Sequence, residues 1–232
     1  MEHTVGTFYG VSVGPGDPEL LTLKAVRCIE RCPVLAAPRT AEDRMLALEI
    51  VKGAVDVSGK TILPLQFAMS RDADTLRASH EAAAGAVREA LDAGQDVAML
   101  NLGDVSIYAT YGYLEEILKT QGYSTARIAG VPSFCAAAAA LGRSLTDGME
   151  APLTLAPGRH AEQVLDAPGA KVLMKSGRQL PAALAALRRR GLLEKSAMAC
   201  NCGLPEQTLW PDLSSYDPAR PAGYFTTIIV KE

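Results

Sequence analysis

An α/β protein of two domains is the architecture this sequence predicts, on three observations. Short apolar runs alternate with helix-like stretches through the first half, glycine-containing turns follow several of those runs, and closely spaced strands replace the alternation toward the end. With 232 residues, 48% hydrophobic and 21% charged, the chain can bury one large core or two small ones. The order of elements favours two, over residues 1–148 and 149–232.

Residues 7–13 (TFYGVSV) read as a buried strand running into Gly14-Pro15-Gly16. Asp17 suits a helix N-cap, Pro18 the first helical position and Glu19 the positive end of the helix dipole, so a helix is expected from there to about Cys32. Residues 33–37 form the second expected strand, 41–53 a helix, 61–65 a third strand and 72–93 a long helix. A strand over 96–100 leads through Asn101-Leu102-Gly103-Asp104 to a helix over 107–119, and a strand over 125–129 leads through Gly130-Val131-Pro132-Ser133 to an alanine-rich helix over 134–141. Repetition of this kind predicts a mainly parallel sheet covered by helices. A turn-rich stretch over 147–152 ends the pattern and marks the expected domain boundary. Beyond it, strands are expected at 153–156, 171–175, 197–202, 207–210 and 225–230, with helices near 160–166 and 180–191. The last strands have no helices between them, which predicts a mixed sheet.

Charge and cysteine usage narrow the function. Lys plus Arg number 23 against 26 Asp plus Glu, a net charge of −3, so no global positive field supports nucleic-acid binding and an anionic partner must meet a local basic patch. No uncharged apolar run approaches a membrane span, and the first residues lack a signal-peptide pattern, so a cytoplasmic protein is expected. The five cysteines, Cys28, Cys32, Cys135, Cys200 and Cys202, include no CxxC pair and are expected as free thiols. His3, His80 and His160 show no ligand spacing, and no metal is expected.

Three turns are expected at the carboxyl ends of strands: Gly14–Asp17, Gly103–Tyr108 and Gly130–Ser133. In open α/β sheets ligands gather at that edge. The first turn is neither a dinucleotide fingerprint nor a Walker loop, and it places two carboxylates and a proline where a pyrophosphate needs donors. An acidic, glycine-lined crevice suits a ligand with hydroxyls and a positive centre, such as S-adenosylmethionine. Asp104 either helps hold such a ligand or serves as a turn or cap carboxylate; the local sequence leaves both open.

The stretch from Gly10 to Ala25, GVSVGPGDPELLTLKA, resembles the signature of the tetrapyrrole methylases, S-adenosylmethionine-dependent enzymes of cobalamin and siroheme biosynthesis. Leu102-Gly103-Asp104-Val105-Ser106-Ile107-Tyr108 is similar to the family's second motif, Gly130-Val131-Pro132-Ser133 to its third, and residues 224–230 to its closing strand, so the likeness spans the chain. Leu102 and Val105 depart from the family's usual Gly-Gly-Asp-Pro. The Gly-Asp-Val-Ser-Ile-Tyr form, with residues 172–175 and 201–205, most resembles the members that methylate carbon 20 of precorrin-2.

That resemblance implies two α/β domains with S-adenosylmethionine in the cleft between them, and a homodimer. It implies cofactor contacts from Gly14, Pro15 and Gly16, from Gly103, Asp104, Val105, Ile107 and Tyr108, from Ser133, and in the second domain from Met174, Lys175, Gly203 and Thr226. It implies a polycarboxylate tetrapyrrole substrate, for which Arg39, Arg44, Arg159 and Arg178 are the basic candidates beside Lys175. Tyr108, Tyr111 and Glu115 fall near the second motif, but none is singled out as a base. Arg188-Arg189-Arg190 reads as a solvated helix end. Rival readings are methylation of cobalt-factor II at the same carbon, methylation of another corrin precursor and, from a different class, a non-catalytic module that binds S-adenosylmethionine or a tetrapyrrole.

Overall fold

A computed structural model describes residues 4–231 apart from 41, 71, 147 and 221. The chain divides into two compact units, one ending at Pro132 and the other beginning at Ser133.

The first unit holds a five-stranded sheet made of β1 (Phe8–Ser12), β2 (Val34–Pro38), β3 (Thr61–Leu65), β4 (Val97–Asn101) and β5 (Thr125–Ile128). Their order is β3-β2-β4-β1-β5 and every pairing is parallel. The helices are α1 (Leu23–Arg31), α2 (Leu46–Lys52), α3 (Ala73–Asp92) and α4 (Tyr111–Thr120). Strand β4 is buried along its whole length, as an apolar run covered on both faces should be. Helix α3 starts where Asp72 accepts from the Thr75 amide at 2.8 Å, and its stripe of Ala83, Ala84, Val87 and Leu91 faces the core shared with Leu114 and Leu118 of α4.

The second unit contains α5 (Ser133–Ala140), β6 (Leu153–Pro157), α6 (Ala161–Val164), β7 (Ala170–Met174), α7 (Leu180–Arg189), β8 (Ser196–Cys200), β9 (Thr208–Trp210) and β10 (Thr226–Val230). Its sheet order is β6-β7-β10-β8-β9. Only β6 and β7 run parallel, so the expected mixed sheet is found.

Several expectations need correction. The first helix is not continuous from Asp17. That carboxylate caps a single 3₁₀ turn, Pro18–Leu20, by accepting from the Glu19 amide at 2.9 Å; Leu21 is extended, and Thr22 then caps α1 through the Ala25 amide at 3.1 Å. The second helix begins at Leu46; Ala41, in the expected span, lies outside the described residues. Helix α4 begins at Tyr111 rather than 107, because Tyr108 has φ +50°, which a right-handed helix cannot contain. The division of the chain precedes the alanine-rich helix instead of following it at 148/149, since α5 packs on β8 and β10.

The arginine run is not a simply solvated helix end. Arg189 binds Glu162, and Arg190 binds Glu162 at 2.9 Å and Asp166 at 2.7 Å, clasping α7 to α6 and the turn after it. All five cysteines are free, Cys135 exposed and the other four buried. Among the described residues, no helix is long and apolar enough to cross a membrane, and no group of three or more His, Cys, Asp or Glu side chains is placed to hold a metal ion.

Candidate functional site

Three loops leave the carboxyl edge of the first sheet, after β1, β4 and β5. Backbone bonds join the first two: the Gly103 amide donates to the Gly14 carbonyl at 2.8 Å, and the Val13 amide to the Asn101 carbonyl at 2.9 Å. Gly14 and Gly103 have φ of +72° and +70°, a region a side chain strains.

Side chains join the third loop to these, the Thr22 hydroxyl by a bond of 3.3 Å to the Ala129 carbonyl and two others more closely. Ser12, fully buried at the end of β1, donates its hydroxyl to the Ile128 carbonyl at 2.7 Å and accepts from the Val105 amide at 2.8 Å. Asp104 accepts from the Ser106 amide and hydroxyl on one oxygen and from the Gly130 amide, at 2.8 Å, on the other. Partial burial pushes the Asp104 carboxyl up, but the bonds from Ser106 and Gly130, with the Arg127 charge behind them, hold it below the usual carboxylate range. Of its two open readings, the turn role is present: the carboxylate ties the second loop to the third. Gly130 is required by space, because a Cβ there would stand 2.4 Å from the Ser12 Cβ and 3.1 Å from the Gly103 carbonyl oxygen.

The arrangement sorts the expected cofactor residues of this unit. Gly14, Pro15, Gly16, Gly103 and Asp104 lie on the joined loops. Val105 lies there too, but its side chain is in the core and its amide is taken by Ser12. Ile107 is half-buried and Tyr108 exposed, at the end of the second loop. Ser133 opens α5 and so belongs to the second unit. Ser12 escaped the sequence reading, although a hydroxyl ending an otherwise apolar strand is a usable signal.

In the second unit the ends of β6, β7 and β8 and the start of β10 lie along one sheet edge. Met174 and Thr226 are buried there, beside Lys175 at φ +53° and Asn201 at φ +50°. The Ser176 amide donates to the Thr226 carbonyl at 2.9 Å, and the Thr226 hydroxyl donates to Gly223 at 2.6 Å. The Gly203 amide donates to Gln207 at 2.8 Å. The structure thus gathers Met174, Lys175, Gly203 and Thr226 on one edge. Desolvation, reinforced by the Arg159 charge, lowers the Lys175 ammonium pKa.

Glu115 is a poor base in this setting. Its carboxylate is buried against Arg127, Lys119 at 3.0 Å and the Thr125 hydroxyl at 3.2 Å. Burial alone would raise its pKa, but the bonds from Arg127 and Lys119 hold it low. The four arginine candidates also differ. Arg44 is spent on Glu49, with Nε 3.1 Å from both carboxylate oxygens. Arg159 donates to His160 at 3.0 Å, and Arg178 lies exposed near Tyr224. Arg39, at the end of β2, gives one Nη to Asp43 at 2.9 Å.

A family model described as tetrapyrrole (corrin/porphyrin) methylases matches residues 7–215. The cobalt-precorrin-2 C(20)-methyltransferase of Salmonella typhimurium is 30% identical over 232 residues, covering 98% of this chain and 97% of that one. A probable cobalt-precorrin-2 C(20)-methyltransferase of Methanocaldococcus jannaschii is 33% identical over 177 residues, 76% of this chain and 75% of that one. The precorrin-2 C(20)-methyltransferase of a Sinorhizobium species is 29% identical, covering 97% and 95%. Among solved structures, the Thermus thermophilus uroporphyrin-III C-methyltransferase complexed with S-adenosylhomocysteine superposes with a TM-score of 0.69 at 20% identity, covering 98% of each chain. At that identity the likeness is one of fold.

Proposed function

The chain belongs to the tetrapyrrole (corrin/porphyrin) methylase family, and from that membership we propose that it transfers a methyl group from S-adenosylmethionine to carbon 20 of precorrin-2, giving precorrin-3A in cobalamin biosynthesis. The observation that carries this reading is similarity over nearly the full length to relatives named for methylation at that carbon. A second reading, in which the ring already holds cobalt, draws on the names of the 30% and 33% identical relatives.

The chemistry of the loops fits the cofactor. They offer backbone carbonyls and amides, the Asp17 and Asp104 carboxylates and no lysine or arginine, a set suited to a sulfonium and ribose hydroxyls rather than to phosphates. S-adenosylmethionine, when bound, supplies an electrophilic methyl group. We assign its contacts to Gly14, Pro15, Gly16, Gly103, Asp104, Val105, Ile107 and Tyr108 in the first unit and to Ser133, Met174, Lys175, Gly203 and Thr226 in the second. Val105 and Thr226, whose side chains are buried, serve there by fixing the loops.

The protein's task is then positional. Carbon 20 of a reduced tetrapyrrole is enamine-like and already nucleophilic, so the loops must hold it in line with the methyl group at roughly 3–3.5 Å and exclude water. Proton loss from that carbon afterwards restores conjugation. Family membership also supports a homodimer, and five free cysteines fit the reducing cytoplasm.

Anaerobic incubation with methyl-labelled S-adenosylmethionine and either precorrin-2 or its cobalt form, read by mass and carbon NMR, tests the reading. Label at carbon 20 is the expected result, and the ring that accepts it separates the two substrates. Label at another carbon overturns the regiochemistry. Tight cofactor binding with no transfer to either ring favours the binding-module reading.

A further inference from the structure

The three joined loops occupy only the β4-β1-β5 side of the first sheet. The carboxyl ends of β2 and β3 remain beside them, and their side chains have a different character. Arg39 follows β2 directly, and its amide donates to the Leu65 carbonyl at the end of β3 at 2.8 Å, so the two strand ends adjoin. One Nη of Arg39 is committed to Asp43, but its Nε is buried with no hydrogen-bond partner among the described residues, while about a third of the side chain is exposed. Guanidinium donors are seldom left without an acceptor, so Asp43 does not saturate Arg39, and the exposed third of its side chain is the part an anion can reach.

An aromatic wall begins just beyond the β3 end that the Arg39 amide meets. Phe67, two residues beyond β3, meets His80 of α3 with ring centroids 6.0 Å apart, and His80 lies flat on Tyr113, in the first turn of α4, at 4.5 Å and 9°. Tyr113 is 57% exposed, an unusual setting for a tyrosine that only fills a core. Helix α4 continues directly from the second cofactor loop, so the wall begins where that loop ends.

We infer that the β2–β3 side of this edge is the acceptor side of the site: Arg39 anchors a peripheral carboxylate of the tetrapyrrole, and the His80–Tyr113 stack receives the macrocycle's face. The inference rests on the proposed function for its substrate class. Charge and shape select that occupant, since a flat, conjugated polycarboxylate meets both a guanidinium and an exposed ring at once. It places donor and acceptor over different strands, with the end of the second loop as their junction. Arg39 thereby separates from Arg44, whose guanidinium already holds a carboxylate in both arms.

The test is binding of uroporphyrin, a stable octacarboxylate tetrapyrrole, followed by fluorescence quenching on the full chain, with S-adenosylhomocysteine affinity measured by calorimetry on the same samples. Arg39→Met and Tyr113→Ala should each weaken macrocycle binding at least tenfold with cofactor affinity within twofold of wild type. Arg39→Lys should recover part of the loss, and Arg188→Met should change neither affinity. Independently of any variant, bound uroporphyrin should slow carbethoxylation of His80 compared with the free protein, with half-buried His160 of the second unit as the internal reference. Macrocycle affinity untouched by both substitutions, or equal labelling of His80 with and without uroporphyrin, overturns the placement. An Arg39-dependent macrocycle site in a protein that methylates neither precorrin sinks the proposed reaction while leaving the acceptor side in place; a protein that binds no macrocycle overturns both.

Discussion

Replacing Gly130 with alanine tests whether the loops at the first sheet's edge form one rigid piece. The added Cβ would lie 2.4 Å from the Ser12 Cβ and 3.1 Å from the Gly103 oxygen. Ordinary carbon contact begins near about 3.5 Å, so the groups must separate by roughly 1 Å. Neither neighbour yields easily, because Ser12 is fully buried with both hydroxyl bonds made and Gly103 is bonded to Gly14. Overpacking of this kind costs about 1–3 kcal/mol. Retreat of the third loop also stretches the Gly130 bond to the Asp104 carboxylate, and charged bonds of that sort contribute about 1.5–3 kcal/mol. A net loss of about 2–4 kcal/mol should lower the unfolding midpoint by on the order of 10 °C in a domain-sized unit. Scanning calorimetry measures that, and titration with S-adenosylhomocysteine should show at least a tenfold weaker site. A variant that melts with the wild type and binds the cofactor product equally well would refute the joined-loop argument.

Three further outcomes are expected. Gly85 sits inside α3, where a Cβ would meet only an Arg88 nitrogen at 3.8 Å, so Gly85→Ala should raise stability by about 0.5–1 kcal/mol, seen as a higher urea midpoint at constant slope. Glu115→Gln should cost about 1–3 kcal/mol at neutral pH; because the native carboxyl titrates below its unfolded value of about 4.3, that gap should be full above it and close as pH falls through the lower native value, whereas a gap constant from pH 7 to pH 3 counts against the ion pairs. With Cys135 alone exposed, a thiol reagent should label one site per native chain and five after unfolding; because burial raises the Cys135 pKa, the native labelling rate should keep climbing above the ordinary thiol range near ~8.5.

The strands were legible because buried strands in this sequence are unbroken apolar runs bounded by turn residues. Residues 61–65 match β3 at both ends, and Asp72 does cap α3. Local signals failed where a cap could close either one turn or many. Asp17 followed by proline suits a long helix and a 3₁₀ turn equally, and only Thr22, five residues on, shows where α1 starts. The turn role of Asp104 and the need for glycine at 130 depend on partners 26 and more than 100 residues distant in sequence, Gly130 and Ser12. Glu115 and Arg127 likewise become a pair only when α4 packs on β5. Arg39 was visible as a cation, but what sets it apart from Arg44 is the position of Glu49 and of its own Nε, which is a matter of packing.

The strand order of the second unit also bears on how the chain reaches its fold. Its central strand, β10, is the last in sequence, and it alone joins β6–β7 to β8–β9. Until Thr226–Val230 is available, the unit consists of two separate ribbons whose inner edges, β7 and β8, expose unpaired backbone groups, the condition that invites edge-to-edge aggregation. The strands of the first unit, by contrast, are all present by Ile128. During synthesis that unit can close early while its neighbour waits for about a hundred more residues. A nonsense change or proteolytic cut just before Thr226 would therefore leave one finished unit tethered to two sticky half-sheets, with insolubility rather than partial activity as its signature.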